Sequence, residues 1–122
     1  MINLFYVASG GSIGAVLRYL TSNFFRYYFP NFPLGTLFIN FLGSFLIGIL
    51  ASNLENKGAS YIFIRYFLII GILGSFTTFS TFSLEAIQLI NDKKLFLSLV
   101  YIFLSISLCI LGAFFGLNIN KI

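Results

Sequence analysis

The densest group of polar side chains in the sequence lies inside an apolar segment. Between residues 71 and 83 the string GILGSFTTFSTFS contains two glycines, six hydroxyl side chains and three phenylalanines. This composition favours a helix poorly, and Ser and Thr side chains compete for the backbone hydrogen bonds of a helix. We therefore expect a break, because a broken helix at membrane depth is tolerated where it lines a cavity or is buried in protein. Its freed carbonyl groups could hold a cation. A continuous helix whose hydroxyls bond back one turn is the alternative.

Three further polar side chains, Asn40, Tyr101 and Ser105, stand on stripes of small residues in other apolar segments. Tyr101, Ser105 and Cys109 are spaced by four, which keeps them on one helical face. Buried amides and hydroxyls need partners, so Asn40, Tyr101 and Ser105 either line a polar pathway or bond between packed helices. A single Cys excludes an internal disulfide, and we expect Cys109 to pack between helices.

Two of the charged residues within the apolar segments, Arg18 and Glu85, could have a function there. Arg18 lies toward the far end of the first segment, where an Arg side chain either snorkels to the membrane interface or attracts anions to a pore mouth. Glu85 follows the hydroxyl cluster by one turn and is the only carboxylate well inside a predicted helix. We expect Glu85 to be an interfacial residue near the helix end, paired with a Lys or Arg.

Several kinds of chemistry lack the residues they require. The sequence has no His, and it shows no carboxylate pair, no Cys with a partner base and no phosphate-binding loop. An enzyme is therefore not expected. The seven basic residues stand one or two at a time at the ends of apolar runs, which is typical of topology marking and not of nucleic-acid binding.

The composition predicts the elements that must position these residues. The chain has 122 residues, of which 59% are hydrophobic and 8% charged, whereas a soluble domain carries about 25% charged residues. A bilayer crossing needs roughly 20 apolar residues. The sequence therefore predicts an all-α integral membrane protein, a single domain over residues 1–122 with four transmembrane helices and no soluble module. The predicted spans are Leu4 to Tyr28, Leu34 to Leu54, Ile62 to Ile90, and Leu95 to Leu117.

The charges that set orientation are nearly balanced. With both termini on one side, that side carries three of the seven basic residues and the other side carries four. Orientation follows such an asymmetry, so a difference of one gives almost no bias. Either the chain inserts in one orientation, or it inserts in both orientations and forms an antiparallel dimer with a second copy. The three are Lys57, Arg65 and Lys121, and the four are Arg18, Arg26, Lys93 and Lys94.

Over nearly its whole length the sequence resembles the small bacterial fluoride channels called Fluc or CrcB. The resemblance rests on GGSIGAVLRY at 10–19, PLGTLFINFLGSFLIG at 33–48 and GSFTTFSTFSLE at 74–85. It implies a multi-pass protein of the bacterial inner membrane that forms an antiparallel, dual-topology homodimer. Fluoride would leave the cell passively through two antiparallel pores, and a structural sodium ion would lie at the helix breaks.

The resemblance also implies roles for individual residues. Phe79 and Phe82 match pore-lining phenylalanines, and Asn40 matches an asparagine that orients them. The remaining matches are Ser80 and Thr81 to hydroxyls of the polar track, Gly74 and Thr77 to the residues whose backbone carbonyls hold sodium, Arg18 to a conduction-linked vestibule arginine, and Tyr101 and Ser105 to the lining face of the fourth helix. Cys109 departs from the pattern, since family members often have Ser there.

Two other functions fit a four-helix membrane chain. A small multidrug-type proton antiporter would need a membrane-embedded carboxylate, and the first predicted helix contains no Asp or Glu. A non-conducting assembly subunit would fit the stripes of small residues but would leave the hydroxyl and phenylalanine cluster without a purpose. The sequence therefore favours a channel whose partners are fluoride, a second copy of itself and the lipid bilayer.

Overall fold

The computed structural model describes residues 1–54 and 58–121, and within them the chain is helical and contains no strand. Helix α1 spans Ile2–Tyr28 and α2 spans Leu34–Ser52. Helix α3 covers residues 59–76, α4 spans Phe79–Asn91, and α5 spans Leu95–Asn118 and ends in a short 3₁₀ turn. The all-α fold class is thereby confirmed. The predicted third span corresponds to α3 and α4 together, and the predicted fourth span to α5.

The helix ends lie close to the predicted ones, because the turn residues were recognisable. Prolines 30 and 33 bracket the connection between α1 and α2, and the charged run at 92–94 separates α4 from α5. In α2 the last helical residue is Ser52, two residues before the predicted end. The predicted third helix begins at Ile62, whereas α3 begins at Ala59. Lys57 and part of the predicted turn at 55–60 lie outside the described residues.

Helix α3 has a backbone that the sequence did not predict. Its middle part, Phe63–Leu73, is π-helical, and the N–H of Gly74 still reaches the carbonyl oxygen of Ile69, five residues back. Such wide turns are rare and often lie near functional sites. Here the π-helical part packs against α1 and leads directly into the break.

Glycines bring the helices into close contact at two interfaces. A Cβ on Gly71 of α3 would lie 2.9 Å from the Cα of Gly10 in α1. At the second interface, a Cβ on Gly116 of α5 would lie 3.2 Å from the Cα of Gly48 in α2. Small residues of this kind let helix backbones approach closely in a membrane. The glycines at these positions therefore serve helix packing.

Three helical segments are long and apolar enough to cross a membrane by length and composition: Leu34–Ser52, Ala59–Asn91 and Leu95–Lys121. Helix α1 is 27 residues long, which at 1.5 Å per residue corresponds to about 40 Å. Its sequence includes Arg18 and Arg26 as well as several Ser and Asn residues, so it is less apolar than the other three. Within residues 1–54 and 58–121 four long helical segments are present, and three of them are long and apolar enough to cross a membrane.

Candidate functional site

The predicted break in the third span is confirmed, and it comprises two residues between α3 and α4. Thr77 and Thr78 both have extended backbones, with ψ angles of 154° and 115°. The N–H and the hydroxyl of Thr77 both donate to the carbonyl of Leu73, at 3.0 and 2.9 Å. The carbonyl of Leu73 is thus satisfied at the end of α3, and the chain then leaves the helical path.

Asn40 of α2 holds the break through two hydrogen bonds to one residue. The N–H of Thr78 donates to Oδ1 of Asn40 at 2.8 Å, and Nδ2 of Asn40 donates to the carbonyl of Thr78 at 3.0 Å. The primary amide therefore pairs with the backbone of Thr78 as a neighbouring strand would. Asn40 thus orients the backbone immediately before Phe79. Through this backbone contact the side chain of Asn40 can set the position of the Phe79 ring.

Two carbonyl groups lose their helical donors at this break. In an unbroken helix the N–H of Thr78 would donate to Gly74 and the N–H of Thr81 to Thr77. Instead the first donates to Asn40, and the second donates to the hydroxyl of Thr78 at 3.2 Å. Gly74 is exposed and Thr77 is half-buried. The carbonyls of Gly74 and Thr77, which the resemblance matches to sodium ligands, are therefore without their helical donors; their role as ligands stays a prediction.

Arg18 reaches the same break from α1. Its Nε donates to the carbonyl of Ser75 at 3.1 Å, a bond between residues 57 positions apart. The side chain is half-buried. A cation near a helix C-terminus is stabilising because the unsatisfied carbonyls carry partial negative charge. Arg18 thus binds the end of α3, a contact that the sequence did not predict, and its vestibule role stays a prediction.

The hydroxyl groups cluster at the start of α4. Thr78 is the N-cap residue, and its Oγ1 lies 3.2 Å from the hydroxyl of Ser80 and 3.1 Å from that of Thr81. The first N–H groups of a helix carry partial positive charge and form a site that favours anions. The structure therefore brings Ser80 and Thr81 together with the positive end of α4.

The two predicted pore phenylalanines have opposite environments. The side chain of Phe79 is 77% exposed, whereas that of Phe82 is 7% exposed. Their ring centroids lie 5.4 Å apart, and Phe82 also meets the ring of Tyr101 edge-on, at 5.3 Å and 74°. Phe82 is thus fixed in the interior, while Phe79 projects from the helix surface beside the break.

A cleft of about 390 Å³, the first cleft, brings most of the predicted residues together. It is enclosed by α2, the end of α3, the start of α4, and α5. The hydroxyl of Ser105 is buried there and has no hydrogen-bond partner among the described residues. The predicted residues that line the first cleft are Asn40, Gly74, Thr77, Phe79, Phe82 and Ser105, joined by Thr78, Ser44 and Cys109.

A second cleft of about 480 Å³ opens near the connection between α1 and α2, and it is more polar. Thr81 and Glu85 line it, together with Arg26 and Lys94. Thr81 borders the second cleft and its neighbour Phe82 borders the first, so the first turn of α4 carries residues of both clefts.

Glu85 is a site residue that the sequence analysis placed at the interface. One carboxylate oxygen accepts a hydrogen bond from the hydroxyl of Thr36 at 2.6 Å, and the other lies 3.5 Å from the hydroxyl of Tyr101. The second distance is too long for a strong hydrogen bond. The contacts seen for Glu85 are with hydroxyl groups, and the expected pairing with a Lys or Arg is not among them. The spacing of four between Thr81 and Glu85 was a signal that both face the same cleft.

Tyr101 lies between residues that line the two clefts. Its side chain is fully buried, its ring packs on Phe82, and its hydroxyl points toward Glu85. Neither cleft is lined by Tyr101 itself. Tyr101 is therefore buried between residues of the two clefts, and its predicted lining role stays a prediction.

Comparison with known proteins gives a consistent result. Residues 5–117 match the model of the family described as CrcB-like protein, Camphor Resistance (CrcB). The chain is 46% identical over 122 residues to a protein of Agrobacterium fabrum named fluoride-specific ion channel FluC, covering 99% of this chain and 98% of the relative. A protein of the same name from Rhizobium meliloti is 45% identical over the same length, and one from Campylobacter jejuni is 43% identical over 123 residues.

Proposed function

The chain belongs to the CrcB family, and from this premise we propose that it is a fluoride channel that lets fluoride cross a membrane passively. Its relatives named fluoride-specific ion channel match it from end to end. The observation that carries the proposal is the first cleft, in which Asn40, Phe82 and the unpartnered hydroxyl of Ser105 surround one space beside a helix break. No catalytic role is proposed.

The proposed route runs from the second cleft past the start of α4 into the first cleft. A bare anion in a low-dielectric interior would be very costly, and the described residues that line the first cleft include no Lys or Arg. Hydroxyl donors, the N-terminus of α4 and the positive edges of phenyl rings supply weaker stabilisation. Weak contacts suit conduction, because an ion must enter and also leave. Phe82, Ser105, Ser80 and Thr81 are the residues assigned to this route.

A sodium ion is proposed as a structural cofactor at the break. The carbonyls of Gly74 and Thr77 have lost their helical donors, and uncharged oxygen ligands of this kind suit a small hard cation. Gly74 is exposed, so a second copy can approach it and contribute the same two carbonyls. When bound, the cation would neutralise the partial negative charge of these groups. Activity that stays unchanged when sodium is replaced by N-methylglucamine would contradict this assignment.

The functional unit proposed is an antiparallel homodimer in the bacterial inner membrane, with α1 as the fourth crossing. Two observations favour it: the three-to-four distribution of basic residues, and the exposed group formed at the break by Gly74, Phe79 and Ser80. Labelling of single loop cysteines in intact cells tests the topology, and labelling from one side only, in every loop, would exclude the dual arrangement.

Fluoride efflux from proteoliposomes tests the function directly. Vesicles loaded with potassium fluoride are diluted into potassium-poor isethionate buffer, valinomycin is added to carry the compensating potassium, and a fluoride electrode follows release. We expect rapid efflux that needs no proton gradient, and no comparable chloride efflux from matched vesicles. Proton-coupled transport of a cationic drug would instead indicate the antiporter, and the absence of both activities would indicate an assembly subunit.

A further inference from the structure

Cys109 lies on the proposed ion route, although a cysteine in an apolar helix usually serves packing alone. It is a free cysteine, half-buried, and it lines the first cleft together with Asn40 and Phe82. Ser105 lies one helical turn before it, so the two side chains share a face of α5. The sequence predicted a helix-packing residue, but the structure gives this thiol a place on the cleft wall.

The hydroxyl of Ser105 is a second and independent sign that this part of the cleft receives a ligand. Ser105 is only 5% exposed, and its oxygen finds no partner among the described residues. A buried hydroxyl without a partner costs free energy, and such groups call for an explanation such as an unseen ion. The polar atom that should meet the ligand therefore lies one turn from the thiol.

We propose that Cys109 is a modification site in the ion pathway, at which small electrophiles that form mixed disulfides close the route to fluoride. This inference rests on the proposed channel function. The thiolate is the reactive form of cysteine. It attacks the sulfenyl sulfur of methyl methanethiosulfonate and forms a new disulfide bond; the bond to the sulfonyl sulfur breaks, methanesulfinate leaves, and the thiol proton passes to buffer. A thiol such as dithiothreitol reverses the change by exchange.

The position of Cys109 explains why a small adduct would be sufficient to block the route. Asn40 and Ser44 of α2 line the cleft together with Cys109, and the cleft holds only about 390 Å³. A methylthio group added to the sulfur extends from the wall that also carries Ser105. It would occupy space beside the donors assigned to fluoride, and it brings no hydrogen-bond donor of its own. Steric obstruction and lost solvation of the ion then act together.

The experiment combines mass spectrometry with efflux on the full chain in proteoliposomes. We expect one methylthio group per chain, a fall in fluoride efflux of at least tenfold, recovery after dithiothreitol, and slower modification in fluoride than in isethionate. Cys109→Ser should show no mass gain, and treatment should leave its own efflux unchanged. The matched control is Phe103→Cys in the Cys109→Ser background, because Phe103 lies on the same helix, is 70% exposed and lines neither cleft.

The outcomes separate this inference from the function on which it rests. A chain that shows no efflux before any reagent is added contradicts the channel function and the inference with it. Rapid efflux that persists after complete modification overturns the inference alone, as does an equal block in the Phe103→Cys control. Absence of modification in the membrane, with full modification after denaturation, overturns it as well, because Cys109 would then be sealed from the cleft.

Discussion

The hydrogen bonds of Asn40 lead to a quantitative prediction about the helix break. In Asn40→Leu the side chain keeps a similar size, but the N–H and the carbonyl of Thr78 both lose their partner. An unsatisfied buried polar group costs about 1–3 kcal/mol. Asn40 and Thr78 are half-buried, which favours the lower end of that range. For two groups we therefore expect a loss of about 2 kcal/mol.

This loss should lower activity as well as stability, because the break positions Phe79 and releases the two carbonyl groups. A change of about 1.4 kcal/mol corresponds to a factor of ten in an equilibrium, so the intact break should be more than tenfold less favoured relative to rearranged ones. Fluoride efflux from proteoliposomes should fall by a similar factor. Asn40→Asp should also impair efflux, because the carboxylate can accept from the N–H of Thr78 but cannot donate to its carbonyl.

The control replaces Asn53, the asparagine that follows the last residue of α2. Nδ2 of Asn53 donates only to a carbonyl one turn back, and the residue is exposed. Asn53→Leu should therefore leave efflux unchanged, and the thermal unfolding of both purified variants should be compared with the parent. Parent-like efflux and parent-like unfolding in Asn40→Leu would refute the proposal that this amide holds the break.

Three further changes test other parts of the site. Phe82→Ile keeps apolar bulk but removes the ring edge, so efflux should fall at least tenfold in the same assay while the protein still purifies intact. In Gly43→Ala a Cβ would collide with a side-chain methyl at the break, so efflux should fall, whereas Gly58→Ala meets nothing and should conduct normally. Arg26→Gln combined with Lys94→Gln should slow efflux at low ionic strength. The difference from the parent should shrink above an ionic strength of about 0.15 M, because the Debye screening length is then only roughly 8 Å.

The sequence predicted the elements of this fold well for identifiable reasons. Apolar runs of membrane length and clear breakers such as Pro30 and Pro33 defined the helical segments to within a few residues. The break was predictable because six hydroxyl residues and two glycines within residues 71–83 oppose a regular helix. The structure narrows that interval to Thr77 and Thr78, a precision that composition alone does not give.

Contacts between distant residues were not predictable in the same way. Helical periodicity indicates which side chains share a face, but it does not say which helix that face meets. The sequence therefore predicted Arg18 at the membrane interface or at a pore mouth, but it did not predict the hydrogen bond to Ser75 at the break. The sequence predicted Glu85 as the partner of a basic residue, whereas its carboxylate accepts a hydrogen bond from the hydroxyl of Thr36. The π-helical part of α3 had no recognisable sequence signal, since its residues are mostly apolar, as in the other helices.

The interrupted helix explains how one small region can accommodate charges of both signs. The last carbonyls of α3 form a partially negative end. Arg18 binds the carbonyl of Ser75 there, while the carbonyls of Gly74 and Thr77 remain available to a cation. Two residues later, the first N–H groups and hydroxyls of α4 form a partially positive end that favours an anion. A continuous helix would cancel these two ends against each other by internal hydrogen bonds. Because Asn40 keeps them apart with both of its amide groups, a single uncharged side chain of α2 maintains the electrostatics on which the proposed conduction depends.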